Sequence, residues 1–432
     1  MTVLSSMNSG VSGLKAESDA LGVVGDNIAN VNTSGFKAQR AVFEDVLGHS
    51  ILAGTSTGLP GSGVKVGDIQ QMFTQGTLSN TGVATDIALN GDGFFVVKGT
   101  VDGVSSDFYT RAGEFTINKD GILANGQGMK VQGYTANGDG TFAASISDVT
   151  APTAALPARA TTALSVTANI DASAKVPTLA WDAQDPANTS NFSTTMSVYD
   201  TLGNAHTANI YFRKTADNAW DYHAVMPGAD MNPPVAGNAE VGSGQLTFTT
   251  TGALDTVTVG TAIAPTFGGG ATAAQPITVN FGTSIAAGGT GLDGTTQFAG
   301  PSNVSSQTQD GYASGDFSGV SVDGQGVVTG LYTNGQKIAM SQLAIAKFRS
   351  NDVLGRAGQN LWISTRESGT AAMGTAGSGG RGATTGGALE GSNVDLASEF
   401  VSMIQHQRSF SANSKTITTA DEMLQELISL KR

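Results

Sequence analysis

Apolar residues recur every seven positions near both ends of this chain, and this spacing constrains the fold more than any other feature of the sequence. A seven-residue repeat places apolar side chains on one face of an α-helix, where they favour packing against a second helix. At the N-terminus the repeat and its alternate row comprise Leu4, Met7, Val11, Leu14, Leu21 and Ile28.

The C-terminal repeat is more regular and predicts one long helix. Ser392, followed three residues later by Asp395, resembles the capping pattern that begins a helix. At about 1.5 Å per residue this helix would be roughly 57 Å long. Its main row and the apolar ends of a companion row comprise Leu396, Phe400, Met403, Phe410, Ile417, Leu424 and Ile428.

Two interpretations of these repeats are open. The helices could be ordinary core-facing helices of one globular domain, or the two termini could pair into a coiled coil that then packs on other copies of the chain. We favour the coiled coil because both helices are long, they lie at opposite ends of the chain, and no apolar helical partner lies between them.

The N-terminal segment carries four glycines, which weaken it as an isolated helix. Each glycine inside a helix costs about 1 kcal/mol relative to alanine, so the segment alone would be marginal or unfolded. We therefore expect a helix that forms only on assembly. The glycines are Gly10, Gly13, Gly22 and Gly25.

The middle of the chain predicts β-structure. Strand–turn–strand patterns occur around Asn90-Gly91, Asp120-Gly121, Asp323-Gly324 and Asn334-Gly335. The predicted class is therefore α+β and multidomain, with a nested order. The predicted parts are a terminal coiled-coil domain (1–31 and 391–432), a joint (32–75), an inner β domain (76–148 and 311–390) and an inserted outer β domain of one or two subdomains (149–310).

Composition limits the function classes. Charged residues are 13% of the chain and glycine is 58 of 432 residues, which suits short strands, tight turns and packing against other subunits. The net charge of −13 argues against a nucleic-acid partner, because phosphates would be repelled. The chain has no cysteine, which excludes thiolate metal sites and disulfides.

Targeting signals of the ordinary kinds are missing from the sequence. The first residues have neither a basic region nor a continuous apolar region, so we expect no cleaved signal peptide. No run of 18 apolar residues occurs, so we expect no membrane insertion.

Two motifs that could carry chemistry fail on their context. Gly54–Gly58 matches the G-x-S-x-G pattern of serine hydrolases, but a Gly/Thr/Pro-rich loop surrounds it instead of a strand and a helix. Gly288–Asp293 fits a single calcium-binding repeat, which binds only in tandem copies. We therefore predict no catalytic residue, cofactor or metal, and the chain is not expected to be an enzyme.

The stretch that follows the N-terminal repeat, "ANVNTSGFKAQR", predicts a structural joint. Asn30 and Asn32 stand at the helix end, and Gly35 can adopt a left-handed backbone. Phe36 supplies an apolar anchor directly after the turn.

The same stretch carries a family resemblance. "NIANVNTSGFKAQR" (27–40) and "LEGSNVDLASEFVSMIQHQRSFSANSKTITTADEMLQEL" (389–427) are similar to the two terminal signatures of the bacterial flagellar rod and hook family. Segments 73–97, 109–128 and 331–348 resemble the inner β domain of that family. "SVYDTLGNAHTANIYF" (197–212) resembles an outer domain that rod-type subunits lack, so this motif and the length of the chain favour the hook type.

The resemblance implies a structural function. It implies a homopolymeric, curved and flexible extracellular tube that transmits torque from rod to filament, and export of an unfolded chain by the flagellar type III apparatus. It also implies contacts with a distal rod protein, a hook cap protein and a hook-filament junction protein. The alternatives are a distal rod-like subunit that forms a stiff straight tube and, more remotely, an extracellular calcium-binding adhesin.

Overall fold

The computed structural model describes residues 3–46, 62–101, 103–151 and 154–429, and the motif at 54–58 lies outside these residues. The described chain is multidomain and mostly β, with only three α-helices. This is more strongly β than the predicted α+β class suggests. The helices are α1 (Val3–Ala29), α2 (Pro186–Thr189) and α3 (Leu396–Ser429).

Helix α3 begins later than the sequence predicts. Asp395 is its N-cap, since its side-chain Oδ1 accepts a hydrogen bond from the Ala397 amide at 2.9 Å. Its carbonyl accepts the first helical hydrogen bond, from the Glu399 amide. The predicted cap, Ser392, instead accepts a bond from the Val394 amide outside the helix.

Two compact units make up the chain. The first comprises Met1–Thr153, Ser318–Leu331 and Lys337–Arg432, and the second comprises Ala154–Phe317 and Tyr332–Gln336.

The strands follow in three groups along the chain. The first group contains β1 (Gln39–Asp45), β2 (Val64–Gln71), β3 (Leu78–Asn80), β4 (Ile87–Asn90), β5 (Phe94–Val101), β6 (Val104–Thr110), β7 (Phe115–Ile117), β8 (Leu123–Asn125), β9 (Lys130–Ala136) and β10 (Phe142–Asp148). The second group contains β11 (Ala163–Asn169), β12 (Phe192–Tyr199), β13 (Ala205–Ala216), β14 (Ala219–Pro227), β15 (Asn238–Phe248), β16 (Leu254–Thr261), β17 (Thr278–Asn280) and β18 (Asn303–Gln309). The third group contains β19 (Phe317–Val322), β20 (Val327–Tyr332), β21 (Lys337–Lys347), β22 (Gly355–Gly358), β23 (Leu361–Ile363), β24 (Ala372–Thr375), β25 (Ala383–Gly386) and β26 (Ala388–Glu390).

One large sheet dominates the first unit. Its main path is β19-β20-β21-β9-β5-β6-β23-β22, so strands from both halves of the sequence interleave. Two small sheets, β3–β26 and β4–β25, also pair an early strand with a late one. An aromatic cluster that includes Phe94, Tyr109, Phe348 and Trp362 fills the core.

The predicted turns have two outcomes. Asp120-Gly121 joins the antiparallel pair β7–β8, and Asn334-Gly335 joins β20–β21, so these two hairpins are confirmed. The strands on either side of Asn90-Gly91 do form, but β4 pairs with β25 and β5 with β6, so they lie in different sheets.

The segment 39–71, predicted as part of the joint, contains a strand pair. Strands β1 and β2 are antiparallel, from Gln39 opposite Gln71 to Asp45 opposite Val64. Both strands contact α1. The sequence did not predict this pair because neither strand shows a clear alternation of apolar and polar residues.

The second unit combines a five-stranded antiparallel sheet, β12-β13-β14-β15-β16, with a three-stranded sheet, β17-β11-β18. Buried residues alternate along β13, as expected of a sheet with one face on the core. The fully buried aromatic side chains of this core are Phe212, Trp220, Phe267 and Phe281.

Candidate assembly site at the chain termini

Helices α1 and α3 pack against each other in opposite directions. Gly10 lies beside Ile417, and Asn27 near the end of α1 contacts Glu399 near the start of α3. A Cβ atom on Gly10 would lie 2.9 Å from Ile417 Cγ1, and one on Gly13 would lie 2.6 Å from Asn413 Nδ2. A larger side chain at either position would push against α3, so glycine favours this close approach. The buried face of α1 comprises Gly10, Gly13, Ala16, Ala20, Val24 and Asn27.

The residues that form this seam differ from those of the apolar repeat. The large residues of the predicted N-terminal rows do not form it: Met7, Leu14, Leu21 and Ile28 are only half-buried, and Val11 is 52% exposed. Helix α3 of the same chain covers Gly10 and Gly13 of α1. Formation of the N-terminal helix only on assembly stays a prediction.

Polar contacts also cross the seam. His406 Nδ1 lies 2.7 Å from Glu17 Oε2, and Asn27 Nδ2 donates to Glu399 Oε1 at 3.0 Å. Burial raises the pKa of Glu399, and the hydrogen bond from Asn27 only partly opposes that rise. The seam is thus narrow and partly polar.

Some residues of the predicted C-terminal rows pack in the seam with α1, and others are exposed to solvent. Met403, Ile417 and Leu424 are half-buried. Phe400 and Ile428, from the companion row, are 50% and 70% exposed. Leu396 and Phe410 are also exposed, so α3 presents large apolar side chains that its own chain does not cover.

The joint has the geometry that its sequence suggests. Gly35 has a φ of +69°, and a Cβ there would lie 2.5 Å from the Ala112 amide nitrogen, so no other residue fits without strain. Phe36 is buried. Asn30 Nδ2 donates to the Asp26 carbonyl at 2.9 Å at the end of α1, whereas Asn32 is exposed.

Beside the joint lies a buried ion cluster that the sequence analysis missed. Glu390 Oε1 lies 2.6 Å from Lys37 Nζ, and Glu390 Oε2 lies 3.1 Å from Arg111 Nη1. The side chains of Lys37 and Glu390 are fully buried, and that of Arg111 is 3% exposed. Burial lowers the pKa of Lys37, while the charge and hydrogen bond of Glu390 oppose that shift.

Neighbouring backbone groups complete this cluster. Lys37 Nζ donates to the Thr74 carbonyl at 2.7 Å, and the Gly76 amide donates to Glu390 Oε1 at 3.0 Å. The Glu390 carbonyl accepts from the Gly35 amide at 2.7 Å. The cluster therefore fastens the joint, the segment after β2 and the last strand before α3 to one another.

Asn393 makes a second connection among the same segments. Its Oδ1 accepts from the Ala38 amide at 2.7 Å, and its Nδ2 donates to the Met72 carbonyl at 2.7 Å. Lys37, Glu390 and Asn393 all lie within the two terminal signatures. Their presence in these two signatures is the one feature of the sequence that could have suggested a contact between the signatures.

The acidic residue of the single calcium-type repeat has a structural partner. Asp293, in the single calcium-type repeat, accepts from the Thr283 amide at 2.9 Å, and its hydrogen bonds with Thr283 lower its pKa. Across the described ranges, no group of three or more His, Asp or Glu side chains is placed to hold a metal ion. None of the helices described is long and apolar enough to cross a membrane.

Four family models match successive parts of the chain. They are the flagella basal body rod protein (residues 7–37), the flagellar hook protein FlgE/F/G D1 domain (88–172), the flagellar basal body protein FlaE D2 domain (169–312) and the flagellar basal body rod FlgEFG protein C-terminal region (385–430).

Full-length relatives decide the family. The flagellar hook protein FlgE of Salmonella typhimurium is 37% identical over 429 residues, which cover 99% of this chain and 100% of the relative. The chain belongs to the flagellar hook protein family. The FlgE proteins of Escherichia coli (36% identical, 98% of each chain) and Treponema pallidum (34% identical, 100% of each chain) agree.

Membership of the hook protein family confirms the predicted hook-type subunit, a structural component of the bacterial flagellum. A crystal structure of the Helicobacter pylori flagellar hook protein FlgE2 supports the fold. It has a TM-score of 0.51 and 14% identity, and the match covers 71% of this chain and 98% of that one.

Proposed function

We propose that copies of this chain polymerise, through their terminal helices, into the curved and flexible tube of the hook, which transmits torque from rod to filament. One observation carries the proposal: the helix pair buries small side chains in its own seam and leaves large apolar ones exposed. Leu396, Phe400 and Ile404 follow one another at spacings of four residues and form one exposed apolar stripe, and an exposed apolar patch marks an interaction site. The exposed residues are Val11, Leu396, Phe400, Val401, Ile404, Phe410, Met423 and Ile428.

Each part of the chain has a separate role in this proposal. The terminal helices (1–31 and 391–432) form a coiled-coil domain that gives the tube axial strength, and the joint (32–75) sets their angle to the inner β domain (76–148 and 311–390). The outer domain (149–310) makes weak contacts that slide as the tube bends. Its low charge content supports that role, because few ion pairs would have to break.

The remaining contacts rest on the family. We propose that the tube meets a distal rod protein at one end and a hook-filament junction protein at the other, and that a hook cap protein guides its growth. The chain would leave the cell unfolded through the type III export apparatus, without signal cleavage, and the absence of cysteine is compatible with that route.

Polymers of the purified full-length chain test the proposal. We expect curved tubes in electron micrographs, whereas straight stiff tubes would favour the rod-like alternative. The variant Phe400→Ser/Ile404→Ser should keep its circular dichroism and melting temperature, since both side chains are exposed, but should not polymerise. The control Gln405→Ser changes an exposed polar residue of the same helix and should form tubes.

The role of the outer domain has its own test. Removal of residues 154–317, the main segment of the second unit, should leave a chain that assembles into tubes without curvature. If the shortened chain folds but does not assemble, the proposed division between terminal assembly and outer sliding is wrong.

A further inference from the structure

We infer that the outward face of α3 in one copy docks on the outward face of α1 in a second copy, with the helices antiparallel. The inference rests on the proposed self-assembly and specifies one of its contacts. Two ion pairs between copies define it, namely Asp19–Lys415 and Asp26–Arg408.

The α1 side of this contact is an open groove. It has a volume of about 800 Å³ and lies between α1 and β2, with Ser18, Asp19, Gly22 and Asp26 on the helix side. Ile69 of β2 lines the other side and is exposed. Arg356 also lines the groove, beside Asp26, so the groove combines small, apolar, acidic and basic surface.

No contact within its own chain requires a glycine at position 22. Nothing lies within 4 Å of where its Cβ would be, in contrast to Gly10 and Gly13 in the seam with α3. A glycine in a helix costs about 1 kcal/mol relative to alanine. A close neighbour supplied by another copy would account for a glycine at this position.

The α3 side is a stripe that points away from the intrachain seam. Ile404, Arg408, Ser411 and Lys415 follow one another at spacings of four, three and four residues, which places them on one helical face. All four are exposed. Neither Arg408 nor Lys415 has an ion-pair partner among the described residues of the chain.

Opposite charges face each other across the proposed contact. Along α1 the stripe is negative at 19 and 26, and along α3 it is positive at 408 and 415. Antiparallel docking pairs Asp26 with Arg408 and Asp19 with Lys415. In this register Lys15 lies three residues, or about 4.5 Å, from the position opposite Glu422.

Spacing and symmetry support the same arrangement. Asp19 and Asp26 are seven residues apart, as are Arg408 and Lys415, so each pair spans about 10 Å along its helix. Copies in a helical polymer share one polarity, so α1 and α3 of different copies keep the antiparallel relation that they have within one chain. Asp26 is 44% exposed and already lies 3.8 Å from Arg356, which leaves room for Arg408 as a second cation.

The register places Gly22 of one copy beside Ser411 of the other, between the Asp19–Lys415 and Asp26–Arg408 ion pairs. Because the chain has no cysteine, engineered disulfides can report this contact without background. We would mix full-length Gly22→Cys with full-length Ser411→Cys, allow assembly, oxidise, and measure the fraction of disulfide-linked dimer on a denaturing gel.

A matched control fixes the register. Thr419 is exposed on the same helix but lies eight residues, or about 12 Å, further along. Gly22→Cys mixed with Thr419→Cys should therefore give at least tenfold less dimer than the pair with Ser411→Cys. Tubes with no dimer, or with equal dimer from both mixtures, would overturn the inference and leave the proposed polymer intact. If the unsubstituted chain forms no polymer, both are wrong.

Charge reversal gives an independent readout. Asp19→Lys should raise the protein concentration required for assembly about fivefold, because it places two cations together at a surface contact. Adding Lys415→Glu in the same chain should restore most of the loss. A double variant that assembles no better than Asp19→Lys would contradict the pairing.

Discussion

The second unit and the terminal helix pair are built in opposite ways. The second unit buries large aromatic side chains, such as Phe212, Trp220 and Phe281, almost completely. The helix pair buries glycine and alanine and leaves large residues such as Phe400 and Ile428 in solvent. The second unit thus buries most of its largest aromatic side chains within one chain, whereas the helix pair buries small side chains and leaves several large ones exposed.

The largest loss of stability should follow a substitution in the ion cluster of Lys37, Arg111 and Glu390, whose side chains are buried although they are charged. Glu390→Ala would leave Lys37 and Arg111 without their carboxylate, and loss of one partner of a buried pair costs about 3–5 kcal/mol. We expect the free energy of unfolding of the first unit, measured by urea denaturation, to fall by an amount near the upper end of this range. The exposed Glu367→Ala is the control.

The second unit should respond almost as strongly to a single cavity. Trp220→Ala removes a fully buried ring and its hydrogen bond to Gln297, so we expect a loss of about 3–5 kcal/mol. The transition of the second unit in calorimetry should move to lower temperature. A shift as small as that of an exposed substitution would contradict the contrast between the two regions.

Glycines on the two faces of α1 should respond with opposite sign. Gly13→Ala places a methyl group against Asn413, and overpacking costs about 1–3 kcal/mol, which exceeds the gain in helix propensity. Gly22→Ala has open space and should stabilise the soluble chain by up to about 1 kcal/mol. Chemical denaturation monitored by circular dichroism measures both variants.

The smallest expected effect on stability is its dependence on pH, which should differ between the helix pair and the second unit. Glu399 has a raised pKa, so its contribution to seam stability is fully present below its unfolded pKa and is lost as pH rises through its folded pKa. Water screens this partly exposed group, so Glu399→Gln should stabilise the neutral-pH seam by only a few tenths of a kcal/mol. Hydrogen exchange of the α1 amides at pH 7 measures this.

Asp200 in the second unit should behave in the opposite sense. Burial alone would raise its pKa, but hydrogen bonds from the Asn204 side chain and amide, from His206 and from the Leu202 amide outweigh it, and the pKa is lowered. Its contribution is present above the unfolded pKa and is lost as pH falls through the folded pKa. Asp200→Asn should weaken the acid sensitivity of the second unit.

The sequence predicts some of these features and not others, for physical reasons. Gly35 and Phe36 were predictable because a left-handed turn and an apolar anchor each require a particular residue type. The α1–α3 seam was not, since periodicity analysis counts large apolar residues and this seam is made by small ones such as Gly13. Lys37 and Glu390 were missed because charged residues normally indicate surface.

The pairing partners of the ion cluster lie far apart along the chain. Glu390 is 353 positions from Lys37 and 279 from Arg111. Contacts with such long sequence separation form late, because a large loop must close first. We expect pulse-labelled hydrogen exchange during refolding to protect the Gly35 amide after the amides of β5 and β6, and equal protection times would contradict this order. The N-terminal part of the chain thus acquires its final shape only after residue 390 is present, so a truncated polypeptide cannot complete the joint.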